Sequence, residues 1–238
     1  MSYGILRGDH HVHSTFSDDA VSTLAENVAA ATAAGLTTVR LVDHVRQSTT
    51  WVPEYLAAVR DLERPEGLTV LTGVEAKILD ATGALDIPAL PQGIDRILIA
   101  DHQFPGADGP LGPSAVRERM AGGWAVDDVL DQFVGALIAA MRRHPGNQLA
   151  HCFSLLPKIG LAEDDLGAER IQTWARTAAE TDTLVEVNEK WGCPGTELLR
   201  ALRLAGAEIV ASTDSHVADD VGRYARIIPI LDALEPSA

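Results

Sequence analysis

Residues Gly8 to Ala20 read GDHHVHSTFSDDA and bring three histidines and three aspartates into thirteen positions. Two readings compete for this stretch: a polar loop that caps the next helix, or the first piece of a metal site. On a strand, side chains two residues apart face the same way, so His11 and His13 share a face with Asp9. His10 alternates away from them and is expected to point outward or into packing. Ser and Asp are favoured N-caps, so Ser17 and whichever of Asp18 and Asp19 is not a ligand are expected to cap the helix that follows.

The rest of the chain decides between the readings. Short apolar runs of strand length alternate with longer Ala- and Leu-rich segments of helical period, which is an α/β pattern. The strand candidates are GILRGDHHVH, TTVRLVDH, LTVLTGVEA, RILIADH, NQLAHCF, TLVEVNE and EIVASTDSH. Helical candidates lie between them: STLAENVAAATAAG, WVPEYLAAVRDLE, VDDVLDQFVGALIAAMRRH, GAERIQTWARTAAE and PGTELLRALRLAG. Two of these close on glycine, at Gly35 and Gly206, as helix ends commonly do. Gln103 to Trp124 is rich in Gly and Pro and reads as an irregular surface excursion, of the kind that often serves as a lid or binding loop. No linker interrupts the pattern, and residues 1–238 are expected to form one domain.

A buried parallel strand should be nearly all apolar, yet histidines or carboxylates recur at the C-terminal ends of these runs, where α/β barrels build their sites. His44 follows RLVD, Glu75 follows VLTGV, His102 follows ILIAD, His151 follows QLA, and Asp214 and His216 follow IVAS. The sixth strand offers Glu186, Asn188 and Glu189. Any one of these histidines, met alone, would be an ordinary hydrogen-bonded residue. Six of the eight, however, fall at equivalent ends of different strands, which separate accidents do not explain. Only His10 and His144 lie outside the pattern, and His144 suits a helix C-terminus, where a partly positive ring complements the dipole.

Composition excludes other classes. With 46% hydrophobic and 22% charged residues the chain is ordinary globular material. A formal net charge of −15 argues against a nucleic-acid backbone or an anionic membrane as partner. Cys152 and Cys193 form no CxxC pair, so neither a disulfide framework nor a cysteine zinc site is indicated and a reduced, cytoplasmic setting is expected. MSYGILRGDHH lacks the basic start and apolar run of a secretion signal. Nothing specific points to a homo-oligomer.

The segment DHHVH resembles the D-x-H-x-H opening of the PHP (polymerase and histidinol phosphatase) superfamily. VDH, GVEAK, ADH, AHC and STDSH resemble its later motifs in the right order, from Asp9 to His216. The resemblance implies a distorted (β/α)7 TIM-like barrel with two or three divalent ions at the C-terminal ends of the strands. Carried over by position, it implies His11, His13, Glu75 and Asp214 around one ion, with Glu75 bridging to a second held by His102 and His151. Asp19, His44 and His216 would hold a third, with Asp18 as an alternative to Asp19. Asp9 and Asp43 would orient imidazoles from behind. Glu75, Asp214 and His216, supported by Asp43, are the residues expected to carry the chemistry.

Six imidazoles and three carboxylates suit Zn, Mn or Fe better than Mg or Ca, which prefer oxygen shells. Two ions sharing a carboxylate can also share a hydroxide of lowered pKa, so no Ser or Cys nucleophile is required. Three divalent ions would leave the pocket at about +3 in formal charge after Glu75, Asp214 and Asp19 are counted. That charge can draw in a phosphate even on an acidic protein. The favoured reading is therefore a metal-dependent phosphoesterase acting on a small phosphomonoester, and the family resemblance is compatible with histidinol-phosphate, nucleotide or sugar-phosphate types. Arg46, Lys77, Lys190 and Arg223 lie within a few residues of ligands or strand ends and are candidates for holding phosphate. The alternative on the same scaffold is an amide or lactone hydrolase or a lyase, since fold does not fix reaction class. A non-catalytic metal-stabilised module is the third reading, although no ligand position is empty.

Overall fold

The computed structural model describes residues 4–234. Seven parallel strands follow one another around the sheet in chain order. They are β1 (Gly8–Val12), β2 (Thr38–His44), β3 (Thr69–Lys77), β4 (Arg96–Ala100), β7 (Gln148–Ala150), β8 (Leu184–Asn188) and β9 (Ile209–Ser212). A parallel bridge between Val12 and Ser215 brings the last strand back to the first. The result is a nearly closed, distorted barrel with helices around it, the expected architecture. Two three-residue strands, β5 (Phe104–Gly106) and β6 (Gly109–Leu111), form a separate antiparallel hairpin.

The five expected helices are present as α1 (Leu24–Ala33), α2 (Val52–Asp61), α4 (Val126–Arg143), α6 (Ala168–Glu180) and α7 (Thr196–Ala205). Gly206 closes α7 at φ 81°, and Gly35 follows α1 at φ 71°. Three more helices, α3 (Pro113–Ala121), α5 (Leu156–Ile159) and α8 (Ile227–Asp232), were not expected. Gln103 to Trp124 is thus largely ordered as a hairpin and a helix. Its Gly and Pro residues serve regular structure: Gly106 pairs with Gly109 across the turn, and Pro113 opens α3 where a missing N–H costs nothing.

Apolar side chains divide into layers. Outside the barrel, α1 and α2 pack Leu24, Val28, Tyr55 and Val59 against Val39 and Leu41, while a larger cluster joins α4, α6 and α7 to β3 through β9. Inside lies a thin apolar layer of Val42, Leu98, Ala100 and Ala150. At Gly73 a Cβ would sit 3.1–3.2 Å from Val42, Arg40 and Leu98 side chains, so glycine leaves room for them. Polar ligands above this layer stand on an apolar plug.

Local details correct three expectations. Strand β1 carries a bulge: Asp9 pairs with Val39, but Val12 pairs with Leu41, so β1 has one extra residue. The extra residue breaks the two-residue alternation and puts Asp9 on the outward face of Val39 rather than beside His11. The α1 cap is Thr23, which forms a capping box with Glu26; Ser17 and Asp18 or Asp19 do not cap it, because the helix starts several residues later. His144 does end α4, but burial and then Arg143 push its pKa below the ordinary value, which disfavours a positive ring.

Gly83 has φ 75°, and a Cβ there would run into the backbone of Ala139 and Ala140 in α4. Gly83→Ala should therefore cost on the order of 2 kcal/mol or more in urea unfolding, and an unchanged midpoint would show that the loop does not dock on α4 as described.

Candidate metal centre

The strand register brings the polar strand ends together. His44 pairs directly with Glu75 across β2 and β3, so their side chains emerge side by side. Glu75 is buried, and its two carboxylate oxygens face different sets of imidazoles. Oε2 lies 3.4 Å from His11 Nε2, 3.4 Å from His13 Nε2 and 2.9 Å from His44 Nε2. Oε1 lies 3.1 Å from His102 Nε2 and 3.0 Å from His151 Nε2. Asp214 Oδ1 approaches His13 Nε2 at 3.3 Å, His216 Nδ1 at 3.6 Å and His11 Nε2 at 4.0 Å. Asp19 spans His44 Nδ1 and His216 Nε2, each at 3.4 Å. Asp18 instead stands 4.0 Å from the Arg46 guanidinium, although one of its oxygens also lies close to Asp19 and His44.

All nine residues expected as ligands are thus brought to one place. Ligand atoms lie within 4.8 Å of one another in the sets His11, His13 and Asp214; His44, Glu75 and His102; and His13, His44 and His216. The donor set fits divalent ions on an observation of its own: Glu75 Oε2 is buried without a well-formed hydrogen bond, though three ring nitrogens crowd it. His11 Nε2 and His13 Nε2 likewise face each other at 2.9 Å. Such convergence of lone pairs is what a cation relieves.

Charge is shared unevenly in the cluster. Burial opposes ionisation of Glu75, but His102 and His11 outweigh it and hold the carboxyl well below its usual range. Burial likewise opposes charge on His151, yet Asp101 and Glu75 raise its pKa to about 10. His13 goes the other way, pushed down to about 3 chiefly by burial. Imidazole protons here occupy positions that metal binding would release.

The supporting contacts differ from those expected. Asp9 reaches no ring: it accepts from Thr213 N and Oγ1, Gly222 N and, at 3.4 Å, His11 N, because the bulge turns it outward. Burial pushes its pKa up to about 6. Asp43 is enclosed by Ser14 and Ser17 and meets an imidazole only through Ser17 Oγ, 3.3 Å from His13 Nδ1. Two other acids hold rings directly. Glu186 sits 3.1 Å from His11 Nδ1 and also accepts from Gln148, Asn188 and the His151 backbone N–H. Asp101 sits 3.0 Å from His151 Nδ1, with Ser154 Oγ donating to it at 2.9 Å. Asp101 precedes His102 as Asp43 precedes His44, so the Asp-His pattern was a signal that sequence reasoning left unused. Trp191, whose Nε1 donates to Asp214 Oδ2 at 2.9 Å, gave no sequence signal.

Two clefts flank the cluster. Lys190 and Arg223 line one of about 440 Å³ with Asp214, His216 and Tyr224. Arg46 and Lys77 line another of about 250 Å³ with Asp19, His44, Glu75 and His102. Lys190 lies 3.4 Å from Asp214, and Lys77 bonds Gln103 at 3.1 Å. All four expected phosphate-holding bases therefore stand beside the cluster.

The fold is thus a distorted parallel barrel whose C-terminal strand ends carry a His- and carboxylate-lined cluster able to hold divalent ions. Residues 9–190 match the family model of the PHP domain, and the chain belongs to that family. A probable phosphatase of Acetivibrio thermocellus is 28% identical over 242 residues, covering 95% of this chain and 86% of that protein. One from Clostridium novyi is 26% identical over the same proportions. One from Vibrio cholerae is 36% identical over 124 residues, half of each chain. Among solved structures, histidinol phosphate phosphatase from Lactococcus lactis, complexed with zinc, L-histidinol and phosphate, superposes with a TM-score of 0.61 at 17% identity. That alignment covers 89% of this chain and 86% of the other. With relatives of this kind, the chain is a hydrolase of phosphatase type.

Asp101→Asn preserves size but removes the charge that orients His151. It should weaken binding of one divalent ion about 10–100-fold in equilibrium dialysis, and unaltered uptake would remove Asp101 from that role.

Proposed function

We propose that the chain hydrolyses a small phosphomonoester at a centre of two or three divalent ions (Zn, Mn or Fe), with the histidinol-phosphate, nucleotide and sugar-phosphate types as its candidate substrates. The observation that carries this reading is the division of Glu75: one oxygen serves His11, His13 and His44, the other His102 and His151. A buried carboxylate so placed suits a bridge between two ions. His11, His13 and Asp214 would complete one site, His102 and His151 the second, and Asp19, His44 and His216 a third. Ions bound there would supply Lewis-acid charge and an ionised water as nucleophile.

The chain's own residues do the rest. Lys190 and Arg223 on one side, and Lys77 and Arg46 on the other, face the space a phosphoryl group must enter. Lys190 bridges cluster and cleft, since its Nζ lies 3.4 Å from Asp214 and 3.3 Å from His216 Nδ1. It would meet a phosphate oxygen without leaving the ligands. Glu186, Asp101 and the Asp43–Ser17 pair fix the rings from behind, so little reorganisation accompanies substrate entry. Asp43 therefore supports His13 at one remove. Among the described residues no helix is long and apolar enough to cross a membrane.

Protein purified without chelator should contain two or three ions per chain and release phosphate from one class of phosphomonoester. Glu75→Ala should lower turnover by more than about a hundredfold, beyond the 10–100-fold typical of removing an outer partner. Ions without phosphate release across a broad ester panel would overturn the reaction assigned here, and fewer than one ion per chain would overturn the centre itself.

A further inference from the structure

Trp191 follows Lys190 in the turn after β8 and is 38% exposed, an unusual place for a large aromatic residue. Its contacts are polar. Nε1 donates to Asp214 Oδ2 at 2.9 Å, and the ammonium of Lys158, on α5, lies 3.7 Å from the ring centroid. The indole also stands 6.1 Å, centroid to centroid, from His151. The backbone of Lys158 is tied to α3, because its carbonyl accepts from Arg117. A train of contacts thus runs from the Gln103 to Trp124 excursion through α5 and the indole to a carboxylate of the cluster.

The consequence lies at Asp214. Its two oxygens have separate duties: Oδ1 faces His13 and His216, while Oδ2 is held by Trp191 and by Lys190 at 3.4 Å. Its backbone φ of 54° falls in the left-handed region, which costs a non-glycine residue energy and persists only where surroundings enforce it. An ionised carboxylate has about four acceptor positions and rotates readily about its last bond. Indole N–H is donor-only, so it cannot reverse its role as an amide can. A cation over the ring face steadies the ring that carries it.

We infer that Trp191 is a positioning residue that holds Asp214 as a one-oxygen ligand, with Oδ1 turned to the cluster, and that Lys158 seats the indole for this task. The inference rests on the metal centre proposed above and adds a control on one of its ligands.

Trp191→Phe tests it, because phenylalanine keeps an aromatic ring for Lys158 while the N–H is lost together with the five-membered ring that carries it. Wild type and variant, stripped with chelator and shown to share a circular dichroism spectrum, are titrated with Zn²⁺ by equilibrium dialysis, and their Co²⁺-loaded forms are compared by visible absorption. One ion should bind about 10–100-fold more weakly in the variant, and its Co²⁺ bands should shift. Equal Zn²⁺ affinity with superimposable Co²⁺ spectra would overturn the inference and leave the centre standing. A wild type that takes up no ion would instead overturn the centre.

Discussion

The Glu75 carboxylate is buried with five imidazoles against its two oxygens, and the barrel is built to keep it there. A buried carboxylate is strongly disfavoured unless partners replace its water, so removing those partners would leave several kcal/mol uncompensated. The five imidazoles come from four segments: His11 and His13 from β1 and its end, His44 from β2, His102 after β4 and His151 after β7. Parallel register sets them, as the direct pairing of His44 with Glu75 shows. Small residues below, at Gly73, Ala100 and Ala150, let the interior close under them. Without ions, protons on the rings balance the acids, and ions would replace those protons rather than add to them.

Holding so many polar groups together requires backbone departures where the ligands sit. His151 has φ 29° and Asp214 φ 54°, and β1 is bulged beside His11. Each departure has an enforcing partner. Glu186 accepts from the His151 backbone at 2.7 Å while fixing the His11 ring, and Asp9 ties β1 to Thr213 and Gly222 from outside. The outward turn of Asp9 thus serves closure: it fastens the first strand to the segment after the last. Sites whose geometry is imposed in this way need little rearrangement to bind an ion.

Much of this was legible in the sequence because two periodicities are robust. Strand-length apolar runs with His or acid at their ends pointed to the seven strands and to the side of the barrel that holds the cluster, and all the candidate ligands but Asp19 lie at or just after such a run. The bulge was not legible, since one inserted residue leaves composition unchanged while reversing the alternation on which the placement of Asp9 depended. The hairpin and α3 were missed because Gly and Pro read as irregularity, whereas Gly106 and Gly109 make a tight turn and Pro113 begins a helix. Contacts between distant segments, such as Trp191 with Asp214 or Glu186 with His11, leave no local trace at all.

On the proposed function, an acidic chain would take an anionic substrate against its own field. At a formal charge of −15 the surface repels phosphate at long range, although salt limits that repulsion to about 8–10 Å. Attraction must therefore arise inside the cleft. Three of the four bases in the two clefts already face acids: Lys190 lies 3.4 Å from Asp214, Lys77 3.8 Å from Asp86 and Arg46 4.0 Å from Asp18. Each pair is nearly neutral as a unit, so these bases contribute direction and hydrogen bonds more than net charge. On the proposed function, net positive charge at the point of reaction would come from ions that the imidazoles and Glu75 would hold. Substrate binding and metal loading are coupled on that argument, and an empty centre would be unfavourable for both the ester and the chemistry.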